Sequence, residues 1–217
     1  MNNHTALYTK ALLLCGILSS LLYIGTDIIA SCLYKGYSFS SQQVSELSAI
    51  GAPTRKLWLA MSYIWAPLVM AFGTGVILMQ RSKRFLRLTG ILLVAYGLIG
   101  LSWNLAPMHQ RGTVELSEDL MHIIFAGVQV LLILSFILLG SRADGTGFRI
   151  YSYFTILALL VFGAWTAARV SAIAEGQPTP WMGIIERVNV YLSTLWVMMF
   201  AAIQLRSEKR KYNKEHE

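Results

Sequence analysis

Long apolar runs separated by short polar breakers dominate the pattern of this 217-residue chain. A helix needs about 20 apolar residues to cross the roughly 30 Å hydrocarbon core of a bilayer. Pro67 lies inside the second run, where we expect it to kink the helix without ending it. The pattern predicts an all-α membrane protein with a bundle of six transmembrane helices. The six runs cover approximately residues 11–34, 57–79, 85–106, 120–139, 150–174 and 184–205.

The composition also indicates that most of the chain is surrounded by lipid and not by water. Hydrophobic residues make up 55% of the chain and charged residues 13%, whereas about a quarter of the residues in a typical soluble protein are charged. No internal repeat and no soluble domain is evident in the sequence. We therefore expect one transmembrane domain, residues 11–205, between a short N-terminal tail, residues 1–10, and a basic C-terminal tail, residues 206–217.

The positive charges are concentrated on one predicted side of the membrane. Lysine and arginine are more frequent in the two tails and in the second and fourth loops than in the other three loops. By the positive-inside rule, this distribution places both termini in the cytoplasm. The net charge of +7 then reflects topology and contact with anionic lipid headgroups, so we expect membrane lipids and no nucleic acid as partners.

Most of the unusual polar residues fall on the predicted extracytoplasmic side. Asp27 lies inside the first run, where an ionised carboxylate costs about 3 kcal/mol on insertion scales, so it should face protein or a wet cavity. Asp27 and Ser31 are four residues apart and share a helix face. Glu46 lies in the first loop, in a segment, residues 45–50, that can form an interfacial helical turn. A hydrogen bond in helix packing explains Asp27 as well as a functional role does. For Glu46, an ordinary solvated loop acid is the favoured explanation, and a position over the bundle is the alternative.

The third loop and the start of the fourth run hold two histidines and several acids. His109 and Arg111 lie in the loop together with Glu115. Asp119 and His122 are three residues apart, so both should project on one helix face. A carboxylate beside a histidine orients the imidazole in many acid–base sites. A plain helix start has the same pattern, so the pair indicates this chemistry only weakly.

A polar stripe opens the sixth run. Glu186, Asn189 and Ser193 follow one another at helical spacing through apolar surroundings. Because polar groups that face lipid are costly, the stripe should face the bundle interior. There it either forms hydrogen bonds between helices or lines a site. Trp181, just before the run, fits an interfacial aromatic belt or the edge of the same site.

Motifs for the common cofactors are missing from the sequence. It has no H-x-x-x-H or H-E-x-x-H pair for zinc, no G-x-S-x-G elbow, no phosphate loop and no dinucleotide fingerprint. We therefore expect no metal and no other cofactor.

Several of these segments, taken in order, resemble a bacterial integral-membrane family known as domain of unknown function 998. The resemblance extends from about residue 10 to residue 206 and implies a compact six-helix bundle in the bacterial cytoplasmic (inner) membrane, crossed several times by the chain. It implies no activity. The segments are Ser45-Glu-Leu-Ser-Ala-Ile-Gly-Ala-Pro53, Pro107-Met-His-Gln-Arg-Gly112, Met121-His122, Thr179-Pro-Trp-Met-Gly183 and Glu186-Arg-Val-Asn189.

Three functional hypotheses follow from these residues. The first is a membrane-embedded acid–base enzyme acting on a lipid-like substrate at the extracytoplasmic face, with His122 as acid or base, Asp119 orienting it, and Arg111 and Arg187 holding an anionic headgroup. The second is a non-catalytic ligand-binding, accessory or small transport protein, acting as a homodimer. In the third, the polar residues only cap and join helices. The candidate catalytic residues are Glu46, Asp119, His122 and Glu186, and the candidate substrate-binding residues are Asp27, His109, Arg111, Trp181, Arg187 and Asn189.

Overall fold

The computed structural model describes residues 3–80, 82–113 and 116–214, with residues 3–6 and 211–214 described by their backbone alone. Glu115, one of the third-loop acids, lies outside the described residues. This part of the chain folds into seven α-helices and four short 3-10 turns, and it contains no strand. The α-helices are α1 (Asn3–Leu33), α2 (Arg55–Met79), α3 (Arg84–Ser102), α4 (Leu120–Gly140), α5 (Thr146–Ala167), α6 (Val170–Ala174) and α7 (Met182–Lys214).

Six of these helices, all except α6, are long and apolar enough to cross a membrane, which confirms the predicted number of spans. α2 continues through Pro67, as expected. The fifth apolar run differs from the prediction, because the chain turns at Ala168 and Arg169 and divides the run into α5 and α6. The hydropathy averaged over the fifth run stays high across Arg169, so it does not reveal that the helix ends there. Which end of the bundle faces the cytoplasm stays a prediction.

The spanning helices form a ring. α1 packs between α2 and α7, α2 packs on α3, α3 packs on α4, and α5 packs on α7, whereas α4 and α5 contact each other sparsely. The α2–α3 contact is the tightest: a Cβ added at Gly73 would lie 2.6 Å from the carbonyl oxygen of Gly90, and one added at Gly90 would lie 2.7 Å from that of Gly73. Only glycine permits this backbone approach.

The ring has two different ends. We call the end formed by residues 34–54, 103–119 and 168–181 the loop end, and the opposite end, where α1 begins and α7 finishes, the termini end. A cluster of buried aromatic residues fills the half of the bundle toward the termini end. In it the rings of Trp196 and Phe200 stack with their centroids 5.0 Å apart, and Phe72, Phe136 and Phe148 complete the cluster.

The half of the bundle toward the loop end is packed only in part. α4 has no buried residue from Leu120 to Ser135, and α5 has none from Leu160 to Ala167. A Cβ added at Gly127 of α4 would meet nothing within 4 Å. The remaining four spanning helices all have buried residues at this level. These two segments therefore bury the fewest side chains, and because α4 and α5 contact each other sparsely, we call the boundary between them the side crevice.

Candidate functional site

A buried ion pair joins the first and last spanning helices near the loop end. The Arg187 guanidinium donates from Nε to Asp27 Oδ2 and from Nη2 to Asp27 Oδ1, both at 2.9 Å. Asp27 is 0% exposed and Arg187 3% exposed. Tyr191, one turn along α7, donates its hydroxyl to Asp27 Oδ2 at 2.5 Å, and Ser31 donates to Oδ1 at 3.4 Å, as its shared face with Asp27 predicted. The carboxylate is therefore fully hydrogen-bonded.

The other donors of Arg187 hold the first loop. Its Nη2 donates to the Tyr37 hydroxyl at 2.9 Å, and its Nη1 donates to the carbonyl oxygens of Phe39 at 2.7 Å and Gly183 at 3.2 Å. The guanidinium carbon lies 3.6 Å from the centroid of the Phe39 ring. Burial raises the pKa of the Tyr37 phenol, so Tyr37 stays neutral and donates to the carbonyl oxygen of Gln43 at 2.7 Å. The donors of Arg187 are thus engaged with protein acceptors, which argues against its predicted role with an anionic headgroup.

A second ion pair joins the three loop segments to one another. Arg111 donates from Nη2 to Glu46 Oε1 at 2.7 Å and from Nε to Oε2 at 3.3 Å. Its Nη1 donates to Thr179 Oγ1 at 2.7 Å and to the carbonyl oxygen of Gln177 at 3.1 Å. Glu46 also accepts the backbone N–H of Gln43 at 2.9 Å. Neither Arg111 nor Glu46 is left free for a ligand, and together they close the loop end.

Glu186 and Gly183 fix the first loop onto the start of α7. The Glu186 carboxylate accepts the backbone N–H of Val44, which is the residue before the 3-10 turn Ser45–Ser48, a turn that the sequence predicted. A Cβ added at Gly183 would overlap the carbonyl oxygens of Phe39 and Gln42. Glu186 thus ties the start of α7 to the residue that precedes this turn.

The histidines differ from the predicted arrangement. Asp119 Oδ1 accepts from His109, from the backbone N–H at 3.0 Å and from ring Nδ1 at 2.8 Å. His122 instead donates from Nδ1 to the carbonyl oxygen of Ala106 at 3.0 Å, and its ring centroid lies 4.8 Å from that of Trp103. The prediction that Asp119 orients His122 is wrong, because Asp119 ends a 3-10 turn before α4 and does not share a regular helix with His122. The carboxylate–imidazole pair is formed with His109.

Asn189 lies beside the side crevice with an unused acceptor. Its Oδ1 is buried and has no hydrogen-bond partner among the described residues. Its amide nitrogen is the one atom that a Cβ added at Gly163 of α5 would find within 4 Å, at 4.0 Å. Gln129 and His122 are seven residues apart and share a face of α4, and both are partly exposed. Together with Asn189, they are polar side chains on helices that border the side crevice.

Trp181 precedes α7 in a left-handed conformation, with φ of 67°, and its side chain is 68% exposed. A tryptophan in this region is strained, and such strain persists only where the surroundings fix the chain. Its exposed ring fits the interfacial belt better than the edge of a site, because the structure describes no polar contact for it.

Sequence reasoning missed Tyr37, Phe39, Thr179 and Tyr191. Tyr191 carries a detectable signal, because it lies four residues after Arg187 and so shares its helix face. The other three contact residues that are distant along the chain, and no local spacing identifies them. In the described part of the chain, no three His, Cys, Asp or Glu side chains lie close enough together to hold a metal ion.

Comparison with known proteins identifies a family. A family model described as "Protein of unknown function (DUF998)" matches residues 17–203. No curated protein and no solved structure matches the chain. Since the model covers most of the chain, from within α1 to within α7, this multi-pass membrane protein belongs to the DUF998 family of proteins of unknown function.

Proposed function

We propose that the protein binds an amphipathic, lipid-like molecule in the side crevice. The observation that carries the proposal is the lack of any buried residue along Leu120–Ser135 of α4 and Leu160–Ala167 of α5. Both segments belong to spanning helices, so acyl chains are the medium that reaches the opening. A ligand that enters there must itself carry apolar chains.

The loop end supports entry from the side. The Asp27–Arg187 pair ties the first loop to α1 and α7, and the Glu46–Arg111 pair ties it to the third and fifth loops. Each pair is held by charge-assisted hydrogen bonds, which are stronger than neutral ones. A ligand that arrived through the loops would have to break these contacts, whereas the gap between α4 and α5 needs no such change.

The polar groups near the crevice favour a neutral headgroup. Arg111 and Arg187, the two arginines predicted to hold an anion, already bind carboxylates of the protein. What remains is the unpartnered Oδ1 of Asn189, which needs a donor, together with Gln129 and the second ring nitrogen of His122. A hydroxyl or amide N–H on the ligand would satisfy the Asn189 oxygen, and leaving that oxygen unpaired is costly.

Thermal unfolding of the purified protein in detergent tests this proposal with two matched lipids. Diacylglycerol and phosphatidic acid with the same acyl chains differ only by the phosphate. A ligand at about 100 times its Kd stabilises a protein by about 2.7 kcal/mol, so diacylglycerol should raise the unfolding midpoint by several degrees. The Asn189→Leu variant should lose most of this rise. No effect of diacylglycerol, or an effect of phosphatidic acid alone, would overturn the proposal.

A membrane-embedded acid–base enzyme acting on the bound lipid is the second candidate. The observation that favours it is the 2.8 Å contact between His109 Nδ1 and Asp119 Oδ1, which leaves the other ring nitrogen as an acceptor. Positioned acid–base catalysis contributes about 10²–10⁴-fold in rate. If turnover of a lipid is found, His109→Gln should reduce the rate by a factor in this range. An unchanged rate would eliminate the His109–Asp119 pair as the catalytic group.

A further inference from the structure

A second buried polar cluster lies at the termini end, away from the side crevice. Gln80 follows the last residue of α2, and Gln204 and Glu208 lie one turn apart on α7. These side chains are 3%, 1% and 1% exposed, respectively. Gln80 Nε2 donates to Gln204 Oε1 at 2.8 Å. Neither the loop-end contacts nor the proposed ligand site uses these residues.

Two oxygen atoms in this cluster have no donor. Gln80 Oε1 and Glu208 Oε1 are buried without a hydrogen-bond partner among the described residues. Reversing the two amides does not remove the deficit, since a single N–H···O bond between two amides satisfies only one of their oxygens. Glu208 is four residues beyond Gln204, so the two side chains lie on the same face of α7. Buried acceptors of this kind almost always have a partner.

The end of α2 adds a further preference for positive charge. The helix finishes at Met79, and the backbone N–H of Gln80 donates to the carbonyl oxygen of Val76 at 2.9 Å. The helix dipole makes this end negative. The cluster therefore combines a carboxylate, one unpaired amide oxygen and a helix C-terminus, all of which attract a cation.

We propose that Gln80, Gln204 and Glu208 form a binding site for a monovalent alkali cation. A single carboxylate balances a single positive charge, and oxygen atoms are the donors that hard cations prefer. The cluster lacks the several carboxylates or imidazoles of divalent-metal sites, consistent with the absence of such groups from the described residues. In some transporters, the C-terminal ends of helices that are broken near the membrane midplane take part in sodium coordination.

Cation-dependent thermal unfolding tests the site in the purified full-length chain. The unfolding midpoint is measured in sodium, potassium and choline chloride at one ionic strength and one pH. We expect a saturable rise of a few degrees with sodium or potassium relative to choline. Glu208→Gln, which keeps the shape and removes the charge, should abolish the rise. Glu118→Gln, which removes an exposed acid at the loop end, should preserve it.

Two results would overturn the site. One is an equal midpoint in all three salts. The other is a cation response that persists in Glu208→Gln, because the carboxylate supplies the only negative charge of the proposed set. If Glu208→Gln does not fold, ²³Na relaxation on the wild-type protein decides the question: sodium line broadening that potassium reverses supports the site, and its absence contradicts it.

Discussion

Arg187 and Asp27 face each other across the α1–α7 contact through two hydrogen bonds of 2.9 Å, and neither side chain is more than 3% exposed. They are 160 residues apart in the chain. Removing one partner of a buried pair leaves the other charge uncompensated, which typically costs about 3–5 kcal/mol. The Asp27–Arg187 pair therefore stabilises the folded structure of the loop end.

The first prediction concerns this Asp27–Arg187 ion pair. Asp27→Asn and Arg187→Gln should each lower the free energy of unfolding by about 3–5 kcal/mol, and the double variant should lose less than the sum of the two. Urea unfolding in detergent measures all three variants. Strictly additive losses would mean that the two side chains do not interact.

The second prediction concerns the Glu46–Arg111 pair, whose arginine side chain is 18% exposed. Arg111→Ala removes the donors to Glu46, Thr179 and Gln177, so the first and fifth loops should exchange backbone hydrogen faster. Hydrogen–deuterium exchange of peptides from these loops checks this. Arg169→Ala, an exposed arginine at the same end of the bundle, is the control and should leave exchange unchanged.

The third prediction uses the close contact at Gly183. Gly183→Ala places a Cβ onto the carbonyl oxygens of Phe39 and Gln42, so the first loop must move, and overpacking of this kind costs about 1–3 kcal/mol. Gly25→Ala in α1, where a Cβ meets nothing within 4 Å, is the matched control. Equal thermal stability of the two variants would show that the first loop does not sit against α7.

The fourth prediction separates the two histidines. Asp119→Ala should speed hydrogen exchange in the peptide that contains His109, because it removes the acceptor of the His109 backbone N–H. His122→Ala should not affect this peptide, since the His122 ring bonds to Ala106 instead. Protection that is unchanged in Asp119→Ala would contradict the hydrogen bond between Asp119 and the His109 backbone.

The sequence was sufficient for the fold and for contacts within one helix. Six apolar runs predicted six spans, and the four-residue spacing of Asp27 and Ser31 placed on one helix face two side chains that form a hydrogen bond. Contacts between distant segments were not predictable, because spacing along a helix carries no information about a loop that packs on it. Arg187 was therefore assigned to a ligand although it binds Asp27, and Asp119 was assigned to the wrong histidine.

The side crevice was also not predictable. The fourth run is the most apolar of the six and the fifth is as apolar as the second and sixth, so hydropathy alone does not distinguish a helix packed on both sides from one that borders the crevice. The difference becomes visible only in the burial of individual residues, such as Phe136 near the termini end and the partly exposed Gln129 toward the loop end.

Native mass spectrometry of a lipid retained by the purified protein tests the side crevice most directly. Gly163→Leu fills the crevice beside Asn189, whereas Gly25→Leu adds the same side chain on α1, away from it. We predict that the wild-type protein and Gly25→Leu carry a bound lipid after mild purification and diacylglycerol addition, and that Gly163→Leu does not, with thermal stability similar in all three. Equal lipid occupancy in Gly163→Leu, or none in the wild-type protein, would contradict the proposed binding site.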